Sequence, residues 1–176
     1  MRSFNHYDAP IVVLGLDFAP GSGQVGALAA RKFDNIGFKR RYPDNLIDID
    51  ICHSPDLLLE RCSSAHALIL LDAYFATEPV GLIKHFTIAD LDAAHQPASS
   101  HGFDIKQTLE LYTAADIDPQ QISIMGLCVG RDAYETTGQP ITEVLDCAFQ
   151  ALVNAVDAEI KRYKLQLPDV TYSISA

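Results

Sequence analysis

Three short runs of apolar residues constrain most strongly what this chain can fold into. They read Ile-Val-Val-Leu-Gly-Leu at residues 11–16, Ala-Leu-Ile-Leu-Leu at residues 67–71 and Ile-Ser-Ile-Met-Gly-Leu at residues 122–127. Each run is shorter than a typical helix, is rich in branched side chains and lacks a regular alternation of polar and apolar positions. Such strands are buried on both faces, which is typical of a parallel sheet covered by helices. We therefore predict an α/β protein with these runs as its central strands.

The segments between these runs predict the remaining elements. Ser54 followed by Pro55 is a helix start, because serine caps the helix and proline fits its first turn. The order of strands and helices predicts an open, mainly parallel sheet covered on both faces, with its sites beyond the carboxyl ends of the strands. The other elements predicted from the sequence are a helix at 24–33, strands at 46–51 and 81–87, a loop at 92–102, a helix at 104–114 and a long helix at 141–164.

Length and composition favour one globular domain spanning residues 1–176. The chain carries 48% hydrophobic and 20% charged residues, which is ordinary for a globular protein. Its formal net charge of −10 argues against a nucleic-acid partner. The N-terminal sequence MRSFNHYDAP has no apolar run of the kind found in signal peptides. No apolar stretch is long enough to span a membrane. The four cysteines do not form CxxC pairs. We therefore expect a cytoplasmic protein without a membrane partner.

Polar side chains follow the predicted strands at the edge where sites lie. Asp17 follows the first run, Asp72 ends the third predicted strand, and Cys128 follows the last run. His101 precedes the helix predicted at 104–114. Taken alone, Asp72 is equally well explained as a turn cap, and a lone histidine such as His101 is more often a solvent-facing loop residue. Together, carboxylate and imidazole suit zinc, nickel or another borderline divalent ion.

The order of these landmarks resembles the hydrogenase maturation protease family over residues 11–162. The stretch around His101, Ser-Ser-His-Gly-Phe-Asp-Ile-Lys-Gln-Thr-Leu-Glu-Leu, carries the most specific part of this resemblance. The other landmarks, in chain order, are an apolar strand with a glycine, a glycine-rich loop leading into a helix, the sequence Leu-Leu-Asp-Ala around Asp72, the sequence Ile-Met-Gly-Leu from residue 124, and Gly138 before the final helix.

The resemblance implies a three-layer αβα sandwich of the phosphorylase/hydrolase-like kind, with a mainly parallel, five-stranded twisted sheet. It implies an endopeptidase that removes the C-terminal extension of a nickel-loaded hydrogenase large-subunit precursor, which is then the partner. Asp72 and His101 would be ligands of the nickel in that precursor, with any general-base role for Asp72 secondary. Zinc or cadmium would be surrogates for nickel in vitro. The bound metal would position the peptide bond and polarise its carbonyl or activate water.

The chain departs from the family pattern in the loop that should supply a third, acidic ligand. The sequence Pro-Gly-Ser-Gly-Gln-Val-Gly at residues 20–26 offers Gln24, or Gly23 if the match is displaced by one residue. An amide oxygen is a weaker ligand than a carboxylate, and Asp17 is a nearby substitute. The family's Asp-Gly-Gly-Thr turn and its Pro-Glu pair after the fifth strand are also replaced, by residues 50–54 and 129–130. These departures favour, as the alternative, a catalytically lapsed relative that acts as a partner-binding or accessory maturation protein.

Three weaker interpretations remain open at the level of sequence. The glycines of the first loop admit a nucleotide or small-molecule site, although their spacing fits neither a dinucleotide fingerprint nor a P-loop. Cys52 and His53 would form a softer metal site if Cys128 lay nearby. The basic run at residues 39–41 is most simply a solvated patch, although it would also suit an acidic partner.

Overall fold

A computed structural model describes residues 9–17, 24–88, 90, 121–130 and 140–167. The strands are β1 (Ile11–Leu16), β2 (Ile47–Cys52), β3 (Ala67–Tyr74), β4 (Ile83–Phe86) and β5 (Ile122–Cys128). The helices are α1 (Val25–Asn35), α2 (Pro55–Ser64) and α3 (Ile141–Lys164), together with a short 3-10 helix, Phe38–Arg41.

The five strands form one sheet in the order β2-β1-β3-β5-β4. All neighbouring pairs are parallel except β4, which runs antiparallel to β5 at the edge. The three apolar runs form β1, β3 and β5, the three inner strands, and each is buried along its whole length. The prediction of a mainly parallel five-stranded sheet is thus confirmed.

Helices cover both faces of this sheet. On one face, α1 and α3 pack over a large apolar cluster that includes Val13, Phe33, Leu71 and Leu152. On the other face, α2 packs over a smaller cluster that includes Leu14, Leu58 and Leu70. Odd- and even-numbered residues of the inner strands therefore contribute to different clusters, as strand geometry requires. The arrangement is the predicted three-layer αβα sandwich.

The start of α1 lies in direct contact with the sheet because two glycines leave room for it. A Cβ atom on Gly15 would lie 2.2 Å from the Gly26 carbonyl oxygen, and one on Gly26 would lie 2.1 Å from the Leu71 carbonyl oxygen. Helix and strand backbones thus approach more closely than any side chain permits. This close packing is sufficient to explain both glycines, so they need not indicate a nucleotide site.

Several predicted elements have the bounds that the sequence indicated. The helix α2 begins after Ser54, whose Oγ accepts a hydrogen bond from the backbone N–H of Leu57 at 3.3 Å. The helix α3 spans residues 141–164 as predicted, with its apolar stripe buried. The strand expected at 81–87 is shorter and forms the antiparallel edge strand β4. The loop and helix predicted at 92–114 lie outside the described residues. Among the described helices, none combines the length and the apolar character that a membrane span requires.

Candidate functional site

Asp72 lies inside β3, two residues before the strand ends at Tyr74. The expectation that the strand ends at Asp72 is therefore wrong, because β3 continues its pairing with β5 as far as Cys128. Asp72 is 5% exposed, and its neighbour Ala73 belongs to the apolar cluster under α1 and α3. The Asp72 side chain consequently projects to the other face of the sheet, the face that α2 covers.

Among the described residues, the buried carboxylate of Asp72 has few hydrogen-bond donors to offset its loss of water. Among the described residues, its one hydrogen bond comes from the backbone N–H of Ala73, at 2.8 Å. Burial raises the pKa of Asp72 to about 7, and the Ala73 N–H lowers it only in part. A buried acid that ionises near neutral pH is a frequent property of functional sites.

Glu159 in α3 is the other buried carboxylate of the described residues, and its surroundings differ from those of Asp72. It accepts hydrogen bonds from the Ser123 hydroxyl and from Arg162, whose Nε lies 3.0 Å from Oε1. These bonds and the charge of Arg162 hold the pKa of Glu159 below its usual range, although burial acts in the opposite direction. Among the described residues Asp72 has no such partner beyond the Ala73 N–H.

Asp17 lies directly after β1 and forms a pair with His53, which follows β2. The distance from Asp17 Oδ2 to His53 Nδ1 is 3.2 Å. The backbone N–H of Asp17 donates to the Cys52 carbonyl at 2.9 Å, which fixes the two strand ends against each other. Both residues come immediately after strands that prove to be neighbours, and that neighbourhood is visible only in the structure.

Gln24 immediately precedes α1, is exposed and makes no side-chain capping hydrogen bond. Its helix covers the face of the sheet opposite to the Asp72 side chain. No hydrogen bond joins Asp72 to Gln24 or Asp17, and no three His, Cys, Asp or Glu side chains in the described part of the chain are grouped to hold a metal ion. His101 lies outside the described residues, so its convergence with Asp72 stays a prediction.

The softer metal site considered for Cys52, His53 and Cys128 does not form. The strands β2 and β5 are three positions apart in the sheet, which places Cys52 and Cys128 about 14 Å apart. Each thiol instead lies near a backbone carbonyl oxygen, that of Ser54 at 3.2 Å for Cys52 and that of Glu78 at 3.5 Å for Cys128. Burial raises the pKa of Cys52 to about 11, so it remains a protonated, structural thiol.

Comparison with known proteins gives matches in structure and none in sequence. No protein-family model and no curated protein matches the chain. The NiFe hydrogenase maturation protease HybD from Thermococcus kodakarensis is 16% identical with a TM-score of 0.55, and the alignment covers 85% of this chain and 98% of that one. The hydrogenase maturating endopeptidase HybD from E. coli is 16% identical with a TM-score of 0.58, over 85% of this chain and 93% of that one.

A third solved structure, the NiFe hydrogenase maturation protease HycI from Thermococcus kodakarensis KOD1, is 15% identical with a TM-score of 0.54. The alignment covers 88% of this chain and 94% of that chain. Several solved hydrogenase maturation proteases thus match the chain over nearly their whole length, at low sequence identity. This chain has the fold of the hydrogenase maturation proteases.

Proposed function

We propose that this protein is an endopeptidase that removes the C-terminal extension of a nickel-loaded hydrogenase large-subunit precursor. The fold is shared with proteins that are named hydrogenase maturation proteases or hydrogenase maturating endopeptidases. The observation that carries the proposal is Asp72, a buried acid that lacks a counter-charge among the described residues. A divalent cation brought by the substrate would supply that charge.

In this proposal Asp72 is a ligand of the substrate's nickel. The pKa of about 7 means that a proton and the cation compete for the same carboxylate near neutral pH. Binding the metal replaces the proton and removes the cost of an isolated buried charge. His101 is proposed as the second ligand, since imidazole nitrogen is a preferred donor for nickel and zinc.

The third ligand position distinguishes the proposal from its alternative. Gln24 offers a neutral amide oxygen, and the Asp17 carboxylate is already paired with His53. The alternative function, an accessory maturation protein that binds the precursor without cutting it, is favoured by this exposed glutamine at the start of α1.

Mass spectrometry of the precursor tests the proposed activity. A nickel-loaded large-subunit precursor incubated with the protein is expected to lose its C-terminal extension, whereas a metal-free precursor keeps it. Asp72→Asn and His101→Ala are expected to abolish cleavage while circular dichroism shows an intact fold. Asp44→Asn, which alters an exposed loop acid, is the matched control and should cleave normally. Unaltered cleavage by both site variants would remove the assignment.

Calorimetric titration with nickel, zinc or cadmium separates the two functions. Tight binding that disappears in His101→Ala supports the peptidase. A chain that binds the precursor but no free cation supports the accessory protein, because the incomplete ligand set then fails to hold a metal.

A further inference from the structure

We propose that the groove between β4 and α3 binds the C-terminal extension of the precursor, with a lysine or arginine side chain of that extension directed at Glu159. The inference rests on the proposed endopeptidase function and adds a docking surface to it, on the face of the sheet opposite to the Asp72 side chain. The groove has a volume of about 520 Å³. Its walls include Leu82, Ile83, Met125, Ala151, Ala155 and Glu159.

Small side chains on α3 leave the space that forms the groove. Ala151 and Ala155 are about one helical turn apart, so both lie on the same face of α3. Ile83 lines the groove from β4, and the buried Met125 lines it from β5. These walls are apolar, so the groove suits an aliphatic chain such as the methylene stem of a lysine or an arginine.

Glu159 follows Ala155 by one further turn of α3 and lines the same groove. The Ser123 hydroxyl and two nitrogens of the Arg162 guanidinium donate to its Oε1, and His85 Nε2 lies 3.8 Å from that oxygen. Among the described residues, none donates a hydrogen bond to Oε2. Burial raises the pKa of Glu159, but the bonds from Arg162 and Ser123 outweigh burial and hold that pKa below its usual range. Glu159 is therefore ionised at neutral pH, and its Oε2 can accept a hydrogen bond from a bound cation.

Charge favours a basic side chain as the occupant of the groove. The chain has a formal net charge of −10, which attracts cationic partners. The Glu159 side chain is only 10% exposed, so an ammonium or guanidinium group that reaches it forms a charge-assisted hydrogen bond with little competition from water. Arg162 stays on Oε1, so the occupant adds a donor to the carboxylate and replaces none.

The edge of the sheet favours an extended peptide as the carrier of that side chain. The strand β4 pairs with β5 on one side only, and no described strand pairs with its other side. An extended peptide can add to such an edge through its backbone, and its alternate side chains then lie on the face that α3 covers. The C-terminal extension fits this mode of binding, because it is joined directly to the bond that is cut.

The groove leads to the edge of the sheet where the proposed metal ligand lies. Because β4 runs antiparallel to β5, β4 begins towards the carboxyl edge of the sheet. Leu82 and Val80, each 43% exposed, continue the apolar surface at that edge. Lys84 and Asp72 both pair with Gly126, so β4 passes Asp72 at the same level, two strands away. A chain bound along β4 can therefore continue over the edge towards a cation at Asp72.

Cleavage kinetics on the nickel-loaded precursor test the docking surface with a variant that fills the groove. Ala151 is exposed, so Ala151→Leu narrows the groove without disturbing the core. It is expected to raise KM about 10-fold with kcat unchanged, because the docking contacts are the same in the substrate complex and the transition state. Ala158→Leu is the matched control and should keep the wild-type KM, since Ala158 is exposed on the same helix and does not line the groove.

Calorimetry with a synthetic peptide of the extension measures docking apart from cleavage. Ala151→Leu should bind this peptide about 10-fold more weakly than the wild type, in line with its higher KM. Glu159→Gln should also bind it more weakly and with less dependence on salt, because the charged partner is lost. Glu143→Gln, which removes an exposed acid from the first turn of α3, is the control for charge and should bind normally. A peptide whose lysine and arginine residues are changed to glutamine should bind the wild type weakly.

The outcomes separate this inference from the proposed function. Wild-type KM and peptide binding in Ala151→Leu would overturn the docking surface and leave the endopeptidase function intact. A lower kcat at an unchanged KM would also overturn it, because the groove would then act on the chemical step. Full-strength binding of the glutamine-substituted peptide overturns the basic side chain assigned to Glu159. A wild type that binds the extension peptide more tightly than Ala151→Leu, but cleaves no nickel-loaded precursor, overturns the proposed function and leaves the docking surface.

Discussion

Asp72 and Gly126 lie side by side across β3 and β5, and two aromatic rings fill the space that a side chain at 126 would need. A Cβ atom on Gly126 would lie 2.7 Å from ring atoms of both Tyr74 and Phe86. These two rings pack edge to face with centroids 5.2 Å apart. The aromatic pair thus covers the sheet next to the buried carboxylate, and this apolar cover is consistent with its raised pKa.

Replacing Gly126 tests this packing. Gly126→Ala is expected to destabilise the fold by about 1–3 kcal/mol, because the new methyl group forces the rings of Tyr74 and Phe86 apart. Urea unfolding at pH 7 measures the change, and opening the aromatic cover should also lower the pKa of Asp72. A variant as stable as the wild type would show that this face of the sheet is loosely packed.

The stability of the protein is expected to depend on pH through Asp72. Its folded pKa of about 7 exceeds the unfolded value of 3.8, so the native state holds the proton more tightly. Stability contributed by the protonated form is complete below the unfolded pKa and is lost as pH rises through the folded pKa. The full difference corresponds to about 4 kcal/mol above pH 7 as an upper estimate.

The variant Asp72→Asn removes this titration. At pH 8 it is expected to unfold at higher urea concentration than the wild type, with the gap closing towards pH 4.5. Asp44→Asn, in an exposed loop, should keep the wild-type pH profile. Equal pH dependence of the wild type and Asp72→Asn would contradict the buried, uncompensated state of this carboxylate.

The network around Ser123 is expected to be structural. The Ser123 hydroxyl donates to Glu159 and lies 2.8 Å from the Tyr163 hydroxyl, all within the core between β5 and α3. Ser123→Ala should therefore cost about 1–3 kcal/mol in urea unfolding, since it leaves a buried carboxylate short of a donor. Ser63→Ala, on the exposed surface of α2, is the matched control and should be nearly neutral. Cleavage of a precursor by Ser123→Ala at the wild-type rate is expected, and a selective loss of activity would contradict a purely structural role.

The inner strands could be predicted because a strand that is buried on both faces has a nearly continuous run of apolar residues. The bounds of β1 and α3 match their apolar patterns. The antiparallel direction of β4 could not be predicted, since strand direction depends on the connection and not on the pattern within the strand. The continuation of β3 beyond Asp72 was missed for a related reason: a buried acid interrupts the apolar run without interrupting the pairing with β5.

The candidate site was predictable only in part. The sequence singles out Asp72 by its position after five apolar residues, and the structure shows it buried; its role as a ligand stays a prediction. The pairing of Asp17 with His53 was not identified, because it depends on β1 and β2 being neighbours in register. Sequence spacing of 36 positions between the two residues carries no sign of that contact.

Anomalous diffraction from crystals soaked with zinc shows whether Asp72 and His101 bind the same cation. We expect one zinc ion at the carboxyl edge of the sheet, about 2.0–2.2 Å from an Asp72 carboxylate oxygen and about 2.0–2.1 Å from an imidazole nitrogen of His101. Zinc bound elsewhere, or Asp72 and His101 on opposite sides of the molecule, would contradict it.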